Sequence, residues 1–138
     1  MAEPSQQFTK LLKQHRHSLT KVRAAVFKAL QDKEPQTMRE IVKACAADAD
    51  RASVYRTIAL FEKLGIVQRL QIGWKYKLEL SDKFHHHHHH LTCTSCSRTL
   101  PLSEDRQLEA RLHMLSRSQD FIMKGHQLEI QGLCRNCA

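Results

Sequence analysis

Two Cys-x-x-Cys pairs constrain this chain more than any other feature. Cys93-Thr94-Ser95-Cys96 and Cys134-Arg135-Asn136-Cys137 are separated by 37 residues. Two residues between cysteines let both sulfurs face one ion. Two such pairs complete a tetrahedral shell of four sulfurs, the set that suits structural Zn²⁺. The last third of the chain must then fold so that its two ends meet. A thioredoxin-like redox role fits poorly, because that motif opens a helix after a strand in a βαβ unit, and neither pair has that setting. Structural zinc contributes roughly 10–16 kcal/mol of binding free energy, as much as the whole stability of a small domain.

The remaining organisation is set by length and charge. At 138 residues the chain makes one compact domain or two small ones. It has no apolar run long enough to span a bilayer and no signal-peptide pattern, so the expected location is cytoplasmic, with no membrane partner. Paired cysteines there are more often metal ligands or redox groups than disulfides. The net charge of +8 is uneven: residues 1–80 carry 15 Lys and Arg against 8 Asp and Glu, whereas residues 81–138 carry 7 against 6. Charge counting puts the second half near −1 once a tetrathiolate zinc is included. A basic half suggests a polyanion partner, and a neutral half another task.

The basic half reads as helices followed by a hairpin. Phe8, Leu11 and Leu12 mark a first helix, and Val22, Val26, Ala29 and Leu30 a second. Thr37-Met38-Arg39-Glu40 is a capping box opening a helix with Met38, Ile41, Val42 and Cys45 on its apolar face. After a polar break at residues 47–50, Val54, Ile58, Phe61 and Leu64 mark a fourth helix that Gly65 is placed to end. A capped helix, a short turn and a second helix form a helix-turn-helix. Arg51, Tyr55 and Arg56 lie away from the apolar stripe, where they can reach bases or phosphates. Residues 66–70 look like a strand, and Leu70, Ile72, Trp74, Tyr76 and Leu78 alternate with polar residues about a turn near Gly73. Lys75 and Lys77 project from the opposite face. A hairpin directly after a recognition helix is a wing, so residues 1–80 read as a winged-helix domain for double-stranded DNA.

Residues 81–84 form a polar joint. Beyond it, short strands flank the first Cys pair, and Ser103-Glu104-Asp105 caps a helix lined by Leu108, Leu112 and Leu115. Residues 121–130 read as a returning strand with His126, Leu128 and Ile130 on one face. The six consecutive histidines, residues 85–90, run into the first Cys pair. Alternate residues of a strand share a face, so His87 and His89 point one way and His88 and His90 the other. Glu109 and His126 are the natural partners of the first face. Three imidazoles and one carboxylate suit Fe²⁺, Zn²⁺, Mn²⁺, Co²⁺ or Ni²⁺. The expected fold class is therefore α+β: an N-terminal winged helix-turn-helix domain, residues 1–80, followed by a small zinc-stapled α/β domain, residues 81–138.

At this point the chain resembles the ferric uptake regulator (Fur) family of metal-dependent transcription factors. The matching segments are Leu19-Thr20-Lys21-Val22-Arg23, Ser53-Val54-Tyr55-Arg56, Leu64-Gly65-Ile66-Val67, His87-His88-His89-His90-Leu91-Thr92-Cys93-Thr94-Ser95-Cys96, and the run from His126 through Gly132 to Cys137. The resemblance implies a homodimer in which each protomer pairs a winged helix with a dimerisation domain, acting as a repressor on a palindromic operator. It places structural Zn²⁺ on Cys93, Cys96, Cys134 and Cys137, and a regulatory Fe²⁺, Zn²⁺ or Mn²⁺ on His87, His89, Glu109 and His126. It implies a second, hinge site to which His88 and His90 belong. The other positions of that site hold Pro35, Lys77 and Pro101, leaving Glu79 or Glu104 as substitutes. Ser53, on a matching segment, joins Arg51, Tyr55, Arg56, Lys75 and Lys77 as a DNA-binding candidate. Ser18 stands where the family often has a minor-groove lysine, with Arg16 or His17 nearby.

Two other classes compete. A metal-storage or delivery protein would use the histidine run and predict several weak metal equivalents per chain, but the basic half argues against it. An enzyme could activate water on an open metal position. The sequence supplies neither an evident general base nor a substrate pocket, and the expectation is a regulator rather than an enzyme.

Overall fold

The computed structural model describes residues 3–138. The chain divides into two compact units, Met1–His86 and His87–Ala138.

The first unit contains four helices and a two-stranded hairpin: α1 (Pro4–Gln14), α2 (Lys21–Leu30), α3 (Met38–Ala44), α4 (Arg51–Lys63), β1 (Val67–Ile72) and β2 (Lys75–Leu80). Local chemistry sets the helix ends. The Thr20 hydroxyl accepts from the Arg23 N–H at 3.2 Å and starts α2. Both halves of the expected capping box form at α3. Glu40 N–H donates to Thr37 at 3.2 Å, and Thr37 N–H donates to Glu40 at 2.8 Å. The Asp50 carboxylate accepts from Ser53 N–H at 2.9 Å and starts α4. The Ser53 side chain first, and this backbone hydrogen bond second, hold the Asp50 pKa below the ordinary carboxylate value. At the other end of α4, Gly65 adopts φ 71° while its N–H reaches Glu62 O and the Ile66 N–H reaches Phe61 O. This paired closure needs a left-handed residue, which explains the glycine.

Helical spacing converges on one core. Phe8 stacks on Phe27 with centroids 4.2 Å apart, and Phe61 meets Phe8 edge-on at 5.4 Å. Leu12, Val26, Ile41, Cys45, Val54, Ile58 and Ile66 fill the surrounding space. β1 and β2 pair antiparallel from Val67↔Leu80 to Ile72↔Lys75, and Gln36 adds a bridge to Leu78 just ahead of α3. This is a winged helix. Trp74 departs from the expected alternation: it sits in the Gly73-Trp74 turn rather than on the apolar strand face.

The second unit is a three-stranded sheet of order β4-β3-β5 with one helix: β3 (His88–Cys93), β4 (Thr99–Ser103), α5 (Arg106–Arg117) and β5 (Glu129–Gly132). β3 pairs antiparallel with β4 and parallel with β5. Asp105 caps α5 by accepting from Gln107 and Leu108 N–H groups at 2.9 and 3.1 Å. The returning strand is shorter than the pattern suggested. Residues 121–128 form no ladder, and pairing begins only at Glu129, opposite His90. Within residues 121–128, His126 is held through its side chain instead. α5 has no fully buried residue, and Met114, Leu115, Phe121, Ile122, Ile130 and Leu133 are exposed.

Candidate metal centres and DNA-reading surface

The sheet order closes the thiol shell. β3 carries Cys93 at its end, and the parallel β5 beside it leads into Cys134, so both Cys-x-x-Cys turns fall at the same end of the sheet. Thr94 N–H donates to Gly132 O at 2.8 Å and locks the two turns together. All five cysteines are unbridged, and the donor atoms of Cys93, Cys96, Cys134 and Cys137 lie within 4.8 Å of one another. Cys96 Sγ and Cys134 Sγ are 3.8 Å apart. A disulfide requires about 2.05 Å. A tetrahedron with zinc–sulfur bonds of about 2.3 Å has edges of about 3.8 Å. Protons do not suit this cluster equally. The Cys96 N–H, foremost among several backbone donors, holds Cys93 down to about 6. Cys137 gains from Ser95, but Cys134, Cys93 and Cys96 together push it up to about 11. One thiolate is welcome and the last is opposed, the pattern of a site that needs a cation to become fully anionic. The donor set fits zinc.

The second cluster is built on Glu109. It projects from the first turn of α5 towards three ring nitrogens: His89 Nε2 at 2.7 Å, His126 Nε2 at 2.9 Å and His87 Nε2 at 3.4 Å. His89 is on β3, His87 immediately precedes that strand, and His126 lies in the irregular stretch before β5. His87 Nε2 and His126 Nε2 are themselves only 3.1 Å apart. Two imidazole lone pairs at that separation need a proton or a cation between them. An ion with nitrogen ligands at about 2.05 Å has tetrahedral edges of about 3.3 Å, so the spacing fits a divalent metal. His89 is 1% exposed and its Nδ1 has no hydrogen-bond partner, so only Nε2 is committed. Burial pushes the Glu109 carboxyl up, but the His89 hydrogen bond and the His126 and His87 charges outweigh it. The net direction is down.

The opposite face of the histidine run is arranged differently. His88 and His90 rings pack at 4.5 Å, and buried His90 bonds Glu129 through Nδ1 at 3.1 Å. Glu129 is the residue that sequence reasoning missed. Only the β3–β5 register, 39 residues apart in the chain, brings it to His90. Of the two substitute carboxylates, Glu104 is exposed just beyond β4. Glu79 is buried in the first unit, where Gln68 donates to it at 2.8 Å.

The DNA-reading candidates share the first unit. Arg51, Ala52, Tyr55, Arg56 and Ala59 form the exposed face of α4, opposite buried Val54, Thr57, Ile58 and Phe61. Arg51 lies 5.3 Å from the Tyr55 ring centre, and Arg56 donates to Ser53 Oγ at 3.1 Å, so both guanidiniums are pre-positioned. Lys75 is exposed at the start of β2, Lys77 is half-buried on it, and Arg16 follows α1 at φ 61°. Among the described residues, no helix is long and apolar enough to cross a membrane.

A winged helix with a basic reading face, continued in the same chain by a unit carrying two metal-donor clusters, defines a metal-responsive DNA-binding regulator. The ferric uptake regulator family model matches residues 14–131, and the chain belongs to that family. Its members are dimeric transcriptional regulators that bind DNA operators, not enzymes. Among curated relatives, the ferric uptake regulation protein of Bordetella parapertussis is 36% identical over 87 residues, covering 62% of this chain and 60% of that one. The ferric uptake regulation protein of Campylobacter jejuni is 27% identical over 139 residues, covering 96% and 87%. The crystal structure of the Vibrio cholerae ferric uptake regulator superposes with a TM-score of 0.75 at 28% identity, covering 91% of this chain and 98% of that one.

Proposed function

We propose that this chain is a homodimeric repressor that binds a palindromic operator when a divalent metal occupies His87, His89, Glu109 and His126, with zinc held permanently by Cys93, Cys96, Cys134 and Cys137. The observation that carries the reading is the convergence of three Nε2 atoms on one carboxylate within a chain that also has a winged helix. Bound there, a divalent ion supplies the positive charge that lets three imidazoles and a carboxylate share one shell. The four donors come from three segments: the entry to β3, the first turn of α5 and the approach to β5. Holding them together fixes α5 against the sheet. The exposed apolar side chains of α5 and of the segment after it supply the face for a second copy. Ordering that face biases the dimer towards one spacing of its two winged helices, a population shift between arrangements. In the reading domain, Arg51, Tyr55 and Arg56 meet base edges or phosphate, Ser53 braces Arg56, and Lys75 and Lys77 grip the backbone. Arg16 supplies a further basic contact.

The test is a gel shift on the protein's own promoter with and without Mn²⁺, Zn²⁺ or anaerobic Fe²⁺, alongside metal counting. The expected result is one tightly held zinc per chain, a second exchangeable ion, and retarded DNA only when the second ion is present. Equal retardation without it would overturn the switch while leaving the DNA-binding role in place.

A further inference from the structure

The wing ends on the only tryptophan of the chain. Trp74 is 98% exposed, and no other large apolar side chain among the described residues is as open. Tryptophan is usually well buried, because its ring offers a large apolar area and its N–H needs only one partner. The turn does not call for it. A two-residue hairpin turn of this kind needs a glycine first, with positive φ, and Gly73 supplies φ 62°; the second place tolerates many residues. A side-chain carbon built at Gly73 would meet nothing within 4 Å, so the tip stands clear of the rest of the unit. Most of the other exposed apolar side chains lie in the second unit, where a second copy accounts for them. That explanation does not extend to the wing tip.

The surroundings indicate what Trp74 meets. Lys75 follows it and Lys77 is two residues on, both on β2. Of the carboxylates about the hairpin, Glu62 on α4 is paired with Arg69 at 2.9 Å and Glu79 on β2 is buried. The tip therefore presents an indole beside the exposed ammonium of Lys75, on the hairpin that follows the reading helix. Two strands of six residues span about 20 Å. The major groove is about 12 Å wide, so a wing of this length is long enough to extend beyond the groove that α4 would occupy. In the minor groove, apolar side chains work as wedges against base steps, and aromatic ones stack on bases.

We propose that Trp74 is a DNA-contacting residue whose indole enters the minor groove flanking each half-site, with Lys75 on the neighbouring phosphate. This inference rests on the DNA-binding reading above. The experiment uses full-length protein loaded with Mn²⁺, and in parallel with Zn²⁺ or anaerobic Fe²⁺, and end-labelled DNA selected by that protein from a random library. Label anisotropy measures binding without using the tryptophan. Trp74 emission, free of any other indole, then reports the wing tip.

The expected result is that bound DNA changes the emission and shields it from acrylamide. W74A should weaken binding by about five- to hundredfold with an unchanged salt slope, whereas K75A should lower the slope by about one. The turn is exposed, so the melting point of W74A should match the wild type. If anisotropy reports binding but either the emission and its quenching stay as in free protein or W74A binds like the wild type, the wing proposal is overturned alone. If the wild type does not bind at all, the DNA reading falls first and the proposal with it.

Discussion

Replacing Cys134 with serine tests how the second unit is held together. Within that unit the fully buried side chains are His89, His90, Thr92, Cys93 and Thr99, and no aliphatic or aromatic side chain joins them. The apolar core, from Phe8 to Phe84, lies wholly in the first unit. The sulfur shell must therefore supply what a hydrophobic core supplies elsewhere. Structural zinc contributes roughly 10–16 kcal/mol. If four sulfurs share it equally, losing one removes about 2.5–4 kcal/mol, or two to three orders of magnitude in zinc affinity. Competition against a chromophoric chelator should show that loss in C134S. Hydrogen exchange should show the β3 amides of Leu91 and Thr92 losing protection, in C134S or after the wild type is stripped of zinc, while α2 and α4 keep theirs. Undiminished zinc affinity in C134S, or β3 protection unchanged by zinc removal, would refute the reasoning.

Three further outcomes follow from the same geometry. E109A removes the group on which three imidazoles converge, so metal counting should find the zinc retained and the second ion lost, with operator affinity fixed at the metal-free level. R56A should cost about 1–3 kcal/mol in operator binding, since the guanidinium that Ser53 holds is aimed outward from α4, and should leave the melting point almost unchanged. Asp50 has a lowered folded-state pKa, so its contribution to stability is present above the ordinary carboxylate value of about 3.9 and fades as pH falls through the folded value. D50S caps α4 without titrating, so thermal melts between pH 5 and pH 2.5 should show the mutant losing less stability than the wild type.

Much of this architecture was readable residue by residue because its causes are local. Thr37 and Glu40 cap each other across three residues, and Gly65 ends α4 through its own backbone. The buried stripe of α4 follows from the 3.6-residue period, and the split of His87 and His89 from His88 and His90 follows from the two-residue period of a strand. The four cysteines announce their meeting point because two matched pairs have few other uses. What the sequence concealed depends on distant partners. Residues 121–128 read as a strand but form no ladder, and His126 among them is fixed by its ring contacts with Glu109 and His87. Glu129 reaches His90 only through parallel pairing across 39 residues. Trp74 continued an alternating pattern that the Gly73 turn interrupts. Leu108, Leu112 and Leu115 line one side of α5, yet Leu108 and Leu112 are only half-buried and Leu115 is exposed within one protomer, because a sequence pattern does not distinguish burial inside a chain from burial between chains.

Linkage between metal and DNA tests the central claim most directly. If the His87, His89, Glu109 and His126 site selects the DNA-competent dimer, operator DNA must tighten metal binding by the same factor by which metal tightens operator binding. Titrating the second metal into zinc-loaded protein, with and without saturating operator, measures that factor. The account predicts an increase in affinity of about 5- to 150-fold, abolished in E109A. Identical metal affinity in the two titrations, with operator bound throughout, would contradict it.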